Sequence, residues 1–186
     1  MSPTPAAHPE LEAIRQRVWA ELALAAAERG RPWRTPVLAT VGGEAGCDAR
    51  TVVIREVDAA AREIVFFTDA RSPKVGQVAA HPDAVMVAWS AELGWQLRLA
   101  VHLTVETSGL AVSSRWARLK MTPAAQDYLS PLPPGTPLAH PAPERGSRDH
   151  FAVVTAEVRR IDWLALDPAG HRRALFDASG ARWVQP

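Results

Sequence analysis

Two apolar segments that end in cations and hydroxyls constrain this chain more than any other feature: Arg50-Thr51-Val52-Val53-Ile54-Arg55 and Ile64-Val65-Phe66-Phe67-Thr68-Asp69, the second running on into Arg71-Ser72-Pro73-Lys74. Short runs rich in β-branched and aromatic residues form strands. Such strands normally stop at turn residues, so Arg, Thr, Ser and Lys gathered at their ends point to a bound anion. Ser72 before Pro73 marks a helix start, with a hydroxyl at the cap and a proline in the first turn. Free N–H groups, a hydroxyl and the Lys74 ammonium at one helix start suit a phosphate. Taken alone, the triplet reads as an N-cap beside a solvated lysine. Arg50 and Thr68, at strand ends that a meander brings toward the same helix start, turn the reading toward an anion site.

The rest of the chain supplies a framework for these strands. Pro9 to Arg29 has Leu11, Ile14, Val18, Leu22 and Ala25 at helical spacing, with Gly30 as a stop. From Pro36 the period becomes strand-like: Val37 to Val41, a Gly-rich turn, Arg50 to Val57, and Glu63 to Thr68, which reads as an antiparallel meander. Ala84 to Trp89 and Trp95 to Thr107 are two further strands, and Leu110 to Lys120 and Pro123 to Leu129 are helical. Residues 130–148 are crowded with prolines and read as a mobile loop or flap, of the kind that borders sites. Phe151 to Leu164, Arg172 to Phe176 and Arg182 to Gln185 return to strand character. The pattern predicts one domain over residues 1–186, an N-terminal helical segment (1–30) followed by an antiparallel barrel with peripheral helices.

Charge and cysteine usage narrow the classes of function. A formal net charge of +1, with dispersed basic residues, argues against nucleic-acid and membrane-surface binding. Cys47 is the only cysteine, so no disulfide forms within the chain and a reducing cytoplasm fits. The first nine residues lack an apolar signal core, and no stretch is long enough to span a bilayer as a helix. No metal site is expected.

Three more groups of residues invite a role. Arg50 and Arg55 are five residues apart, so in a regular strand they face opposite sides; Arg55 is either functional or an exposed strand-end charge. Gln96-Leu97-Arg98 sits in an apolar strand, where the amide and guanidinium need partners. A ligand edge suits Gln96, and a cross-strand ion pair is the preferred reading of Arg98.

Together these motifs resemble the pyridoxamine 5'-phosphate oxidase-related family of FMN-binding split barrels. The likeness is strong over Thr35 to Thr107 and looser beyond. It rests on the Arg50–Arg55 strand, the Phe67-Thr68 strand end, the Ser72 and Lys74 helix start, and the Gln96–Arg98 strand. The resemblance implies a mainly β fold, an antiparallel six-stranded split β-barrel with peripheral helices. It also implies an FMN whose phosphate is held by Arg50, Thr68, Ser72 and Lys74, with Phe67, Arg55, the Val52-Val53 backbone and Gln96 beside it. Trp163 and, ten residues on, Arg173 have the spacing of a family pair that reaches the flavin, often across a dimer; a barrel-packing tryptophan and an exposed arginine are the alternative.

On the substrate side the chain departs from the family. An Arg-x-His pair is represented by Ala169 and His171, so half of it is missing. His171 is a candidate for the reacting centre and for substrate contact, although a lone His in an Arg-rich hairpin also suits the surface. A family Tyr falls on Ala111 and a Ser on Leu119, leaving Arg55 and Arg115 as substrate anchors. Pro73 stands where many relatives carry a second phosphate-binding Arg. The implied function is an FMN-dependent oxidoreductase, homodimeric with its flavin site at the subunit interface. Its substrate would be a small amine or alcohol, with vitamin B6 phosphates in doubt. The alternatives are a flavin reductase, or a flavin-, deazaflavin- or haem-binding protein without turnover.

Overall fold

A computed structural model describes residues 8–139 and 148–186. The predicted first helix is α1 (Pro9–Ala27), with Leu11, Ile14, Val18, Leu22 and Ala25 all buried on one face. Its packing face follows from apolar residues recurring three and four apart. The positions 1–7 of the expected N-terminal segment lie outside the described residues.

The strands are β1 (Val37–Val41), β2 (Cys47–Thr51), β3 (Ile54–Asp58), β4 (Glu63–Asp69), β5 (Asp83–Ser90), β6 (Trp95–Glu106), β7 (Phe151–Ala165), β8 (Arg172–Asp177) and β9 (Gly180–Val184). Helix α2 (Pro73–Ala80) follows β4, and α3 (Leu110–Leu119) follows β6. Pro123–Tyr128, expected as helix, is a 3-10 turn.

All pairings are antiparallel, and the strand order is β2-β1-β5-β6-β7-β4-β3, with β8 on β7 and β9 on β8. Two sequence expectations change here. Arg50 to Val57 is not one strand, because the chain leaves the ladder at Val52-Val53, where Val52 N–H donates to Pro36 O at 3.0 Å. Nor is there a simple meander, since β1 pairs with β5 and β4 with β7. The two ends of the order, β2 and β3, are successive halves of one chain segment. Counting that segment once gives the six expected barrel strands, joined at the last step by the chain itself rather than by a hydrogen-bonded ladder.

β4 and the first half of β7 are buried on both faces. Ile64 and Phe66 join Leu97, Trp163 and the α1 residues in the main core, whereas Val65, Phe151 and Val153 pack with Val112, Trp116 and Leu119 of α3 in a second. Burial from both sides explains why Ile64-Val65-Phe66-Phe67 is continuously apolar rather than alternating. No helix among the described residues is long and apolar enough to cross a membrane.

Candidate functional site

The turn from β4 into α2 brings the predicted anion ligands together. Thr68 and Ser72 are buried, and Lys74 Nζ donates to Thr68 Oγ1 at 3.0 Å and to Ser72 Oγ at 2.6 Å. The Ser72 hydroxyl makes no cap to its own helix. Burial, with the charge of Arg50 adding to it, pulls the Lys74 pKa below the ordinary lysine value. A half-buried ammonium held against two hydroxyls, with no carboxylate in ion-pair contact among the described residues, suits an incoming anion.

Arg50 reaches the same corner from β2. Its Nη1 donates to Thr40 Oγ1 at 2.6 Å and its Nη2 to Gln77 Oε1 at 2.9 Å, and it is ion-paired with Asp48. Gln77 Nε2 donates to Asp48 Oδ2 at 3.0 Å, and Thr40 Oγ1 donates to Gln77 Oε1 at 2.7 Å. Gly42 makes room for this: a Cβ there would stand 2.9 Å from Gln77 Cγ, and its φ is +129°. Thr40, Asp48 and Gln77 went unread in the sequence. Gln77 lies three residues after Lys74 on α2 and Asp48 two before Arg50 on β2, so both spacings were available; Thr40 required the β1–β2 register.

Val53 lies outside both ladders, which leaves its peptide edge available to a flat group. Arg55 stacks over Phe67 at 6.0 Å and its Nη2 donates to Tyr128 Oη at 3.2 Å, while its buried Nε has no partner among the described residues. Phe67 itself packs edge-on to Phe151 at 5.0 Å.

The outer face of the sheet gathers a second group. Trp89 pairs with Gln96, Gln96 with Leu164, and Leu164 with Arg173, and directly paired residues share a face. Arg173 is clamped on Asp162 through Nε (2.9 Å) and Nη2 (2.7 Å), and Arg98 Nη1 approaches the same carboxylate at 3.4 Å. This is the cross-strand ion pair expected for Arg98. The bond from Arg173 holds the Asp162 pKa below the usual carboxylate range. Trp163 faces the other way. It is 0% exposed, edge-on to Trp95 at 5.1 Å, and its indole N–H has no partner among the described residues. Trp163 therefore packs the barrel and presents no surface to a ligand, whereas Arg173 shares the face of Gln96.

The expected substrate anchors are occupied differently. Arg115 donates through Nε to Glu56 Oε2 at 3.0 Å, and Arg118 shares that carboxylate at 3.1 Å. His171 is exposed, and its Nδ1 accepts from Asp167 N–H at 3.3 Å, closing a turn. Leu119 is buried in the second core.

Arg71, beside the anion corner, ties down the Pro-rich segment. It clamps the Asp69 carboxylate (3.0 and 2.6 Å) and donates to the carbonyls of Ser130, Pro131 and Leu132 at 2.9, 2.9 and 3.2 Å. Ala70 N–H donates to His150 O at 2.7 Å, so both ends of the loop are fixed on one turn. Of the loop expected over residues 130–148, residues 140–147 lie outside the described residues.

The family model for the pyridoxamine 5'-phosphate oxidase FMN-binding domain matches residues 16–107. A pyridoxine/pyridoxamine 5'-phosphate oxidase of Granulibacter bethesdensis is 29% identical over 170 residues, covering 80% of this chain and 77% of that protein. One from Thermosynechococcus vestitus is 50% identical over 62 residues, 33% of this chain and 28% of that protein. Among solved structures, a pyridoxamine 5'-phosphate oxidase-related, FMN binding protein of Nostoc punctiforme covers 100% of this chain and 98% of its own at TM-score 0.68 and 23% identity. PhzG of Burkholderia lata, in complex with tetrahydrophenazine-1-carboxylic acid, has the same TM-score of 0.68 and coverage of 100% and 98% at 18% identity. At these identities the solved structures establish the fold.

Replacing Arg71 by Ala strands the buried Asp69 carboxylate and frees three carbonyls. The expected result is a lower midpoint in denaturant unfolding. An added Asp69→Asn should recover part of the drop, and an unchanged midpoint in Arg71→Ala would remove the clamp from the account.

Proposed function

Because the chain belongs to the pyridoxamine 5'-phosphate oxidase-related family of FMN-binding split barrels, we propose that it binds FMN and acts as an oxidoreductase on a small amine or alcohol. The observation that carries this reading is the Arg50–Thr68–Ser72–Lys74 corner, two cations and two buried hydroxyls at a helix start. That donor set fits a phosphate dianion in charge and geometry. Lys74 and Arg50 would hold the phosphate, with Thr68 and Ser72 completing its oxygens. The Val52-Val53 break and Gln96 would line the ring, and Arg173 would approach it from the outer face of a neighbouring copy. When bound, FMN supplies the two-electron chemistry. The protein's part is to bind, orient and exclude water, and none of its side chains need be a catalytic acid or base.

FMN affinity should fall about ten- to a hundredfold in Lys74→Ala, roughly 1.5–3 kcal/mol, the scale of a hydrogen bond to a charged group. A dianion favours the protonated ammonium, and burial lowers the Lys74 pKa in the empty site. Wild-type affinity should therefore decline as pH rises through that lowered value, and the variant should lack this phase. Equal titration curves for the two proteins would refute the phosphate assignment.

The partner in this reading is a second copy of the chain. Val37, Val41 and Trp89 are 39%, 47% and 46% exposed on the sheet face that also carries Gln96. An apolar sheet face of this kind calls for cover, and self-association of the same face on two copies supplies it. Sedimentation should give a dimer; an FMN-saturated monomer would contradict the proposal. The exposed free thiol of Cys47 fits a reducing compartment such as the cytoplasm.

Vitamin B6 phosphates are poor candidates for the substrate. Leu119 and Ala111 offer no side-chain donor, Ala169 replaces an Arg of the resembling family, and Glu56 already engages Arg115. Each missing contact is worth roughly 1–3 kcal/mol. Steady-state oxidation of pyridoxamine and pyridoxine 5'-phosphate should consequently be several powers of ten less efficient than in a dedicated oxidase. A dedicated enzyme's efficiency would overturn this view. The same losses favour, as second reading, a flavin reductase with a different substrate.

A further inference from the structure

We infer that Asp162 is a positioning residue for the flavin: it fixes the Arg173 guanidinium on the outer sheet face, so that one donor edge is presented to the FMN of a neighbouring copy. This role rests on the FMN reading proposed above. Asp162 stands in β7 with Arg98 of β6 and Leu175 of β8 as its direct partners. Ile161 and Trp163 on either side of it are buried in the main core, so Asp162 points outward. A carboxylate on an outward sheet face normally stays in water. This one is 7% exposed, with two guanidiniums against it.

The two guanidiniums hold it unequally. Arg173 lies diagonally across from Asp162, two residues before Leu175 on β8, and diagonal neighbours are within reach of long side chains. It donates from Nε to one carboxylate oxygen at 2.9 Å and from Nη2 to the other at 2.7 Å. Two such bonds on a planar fork fix orientation as well as position. Arg98 Nη1 reaches only one oxygen, at 3.4 Å, and its side chain is about half exposed. The carboxylate is therefore committed to Arg173, and Arg98 is a peripheral partner. The bond from Arg173 holds the Asp162 pKa below the usual carboxylate range, which keeps the clamp charged at neutral pH.

With Nε and Nη2 on Asp162, Arg173 Nη1 has no hydrogen-bond partner among the described residues. The half-buried side chain thus offers one fixed N–H edge. It does so in the cross-strand row of Trp89, Gln96 and Leu164, on the face proposed to meet the second copy. A donor already held in place loses little rotamer freedom when a ligand arrives. A fixed cation beside the ring also favours the reduced flavin, which carries more negative charge.

The test is a set of FMN titrations and flavin reduction potentials on the full chain. Arg173→Ala should weaken FMN roughly tenfold and lower the potential. Asp162→Asn, which keeps the shape and removes the charge, should weaken FMN roughly fivefold, and the double variant should be no weaker than Arg173→Ala, since the two residues act as one. The potential should fall in Asp162→Asn as well. Removing an anion by its charge alone would raise it, so the sign separates a loosened Arg173 from a simple change of charge. Arg173→Lys keeps the charge without the fork and should bind FMN nearly as weakly as Arg173→Ala. Arg98→Ala should bind FMN like the wild type. Wild-type affinity in Arg173→Lys, additive losses in the double variant, a raised potential in Asp162→Asn, or an equal loss in Arg98→Ala would overturn the role. FMN lost from Lys74→Ala but held at wild-type affinity by Asp162→Asn would overturn it and leave the flavin reading standing; no FMN uptake by the wild-type chain would overturn both.

Discussion

The partner change along β7 is the constraint on which the rest of the molecule depends. From Val153 to Ala165 this strand pairs with β6, interrupted by one bulge, but its other edge is given first to β4 and then to β8. A strand shared in this way cannot belong to one smooth cylinder. The edge of β7 opens between residues 157 and 161, and at the far ends of the sheet β2 and β3 are linked by chain at Val52-Val53 instead of by a ladder. At both openings, backbone and side chains along the interrupted edge are not consumed by neighbouring strands.

The same arrangement sorts residues by face. On β6 and β7, Leu97 and Trp163 look inward, and Gln96, Arg98 and Asp162 outward. A one-residue change of register would exchange the two sets. Register is held by burial: Trp163 and Leu97 are 0% exposed, and moving such side chains into water costs roughly 1.5–3 kcal/mol each. The core thus determines which polar groups are presented on the outer face. The ion-paired row of Arg98, Asp162 and Arg173 needs that placement, because burying it inside would leave charges without water.

Local patterns were readable in the sequence and long-range pairings were not. The α1 face was legible since helical period is a property of neighbouring residues, and Ser72-Pro73 marked the start of α2 for the same reason. The gathering of Arg50, Thr68, Ser72 and Lys74 at one corner was legible because each ends a strand or begins a helix. The break at Val52-Val53 was hidden, as two β-branched residues continue a strand pattern and only the sheet order interrupts it. Thr40 was hidden because its part depends on the β1–β2 register. The opposite facing of Trp163 and Arg173 was hidden too, since their spacing suggested a pair while their pairing partners, Leu97 with Ala174 and Leu164, separate them. The clamp of Arg71 on Ser130, Pro131 and Leu132 joins positions distant in the chain, and no periodicity reports such a contact.

The anion corner also has an energetic logic of its own. Helix α2 spans Pro73–Ala80, too short to persist on intrinsic propensity. It is held at one end by the network of Gln77, Arg50, Asp48 and Thr40 and at the other by the Asp69–Arg71 turn. Those contacts keep Arg50 and Lys74 close together, and burial first, with the charge of Arg50 adding to it, lowers the Lys74 pKa. An anion that bridges them relieves the repulsion and adds charge-assisted bonds to groups already in place, so little conformational entropy is lost on binding. A ligand that binds only the folded chain also stabilises it by mass action. The corner places two cations where, among the described residues, Asp48 is the one carboxylate in direct ion-pair contact.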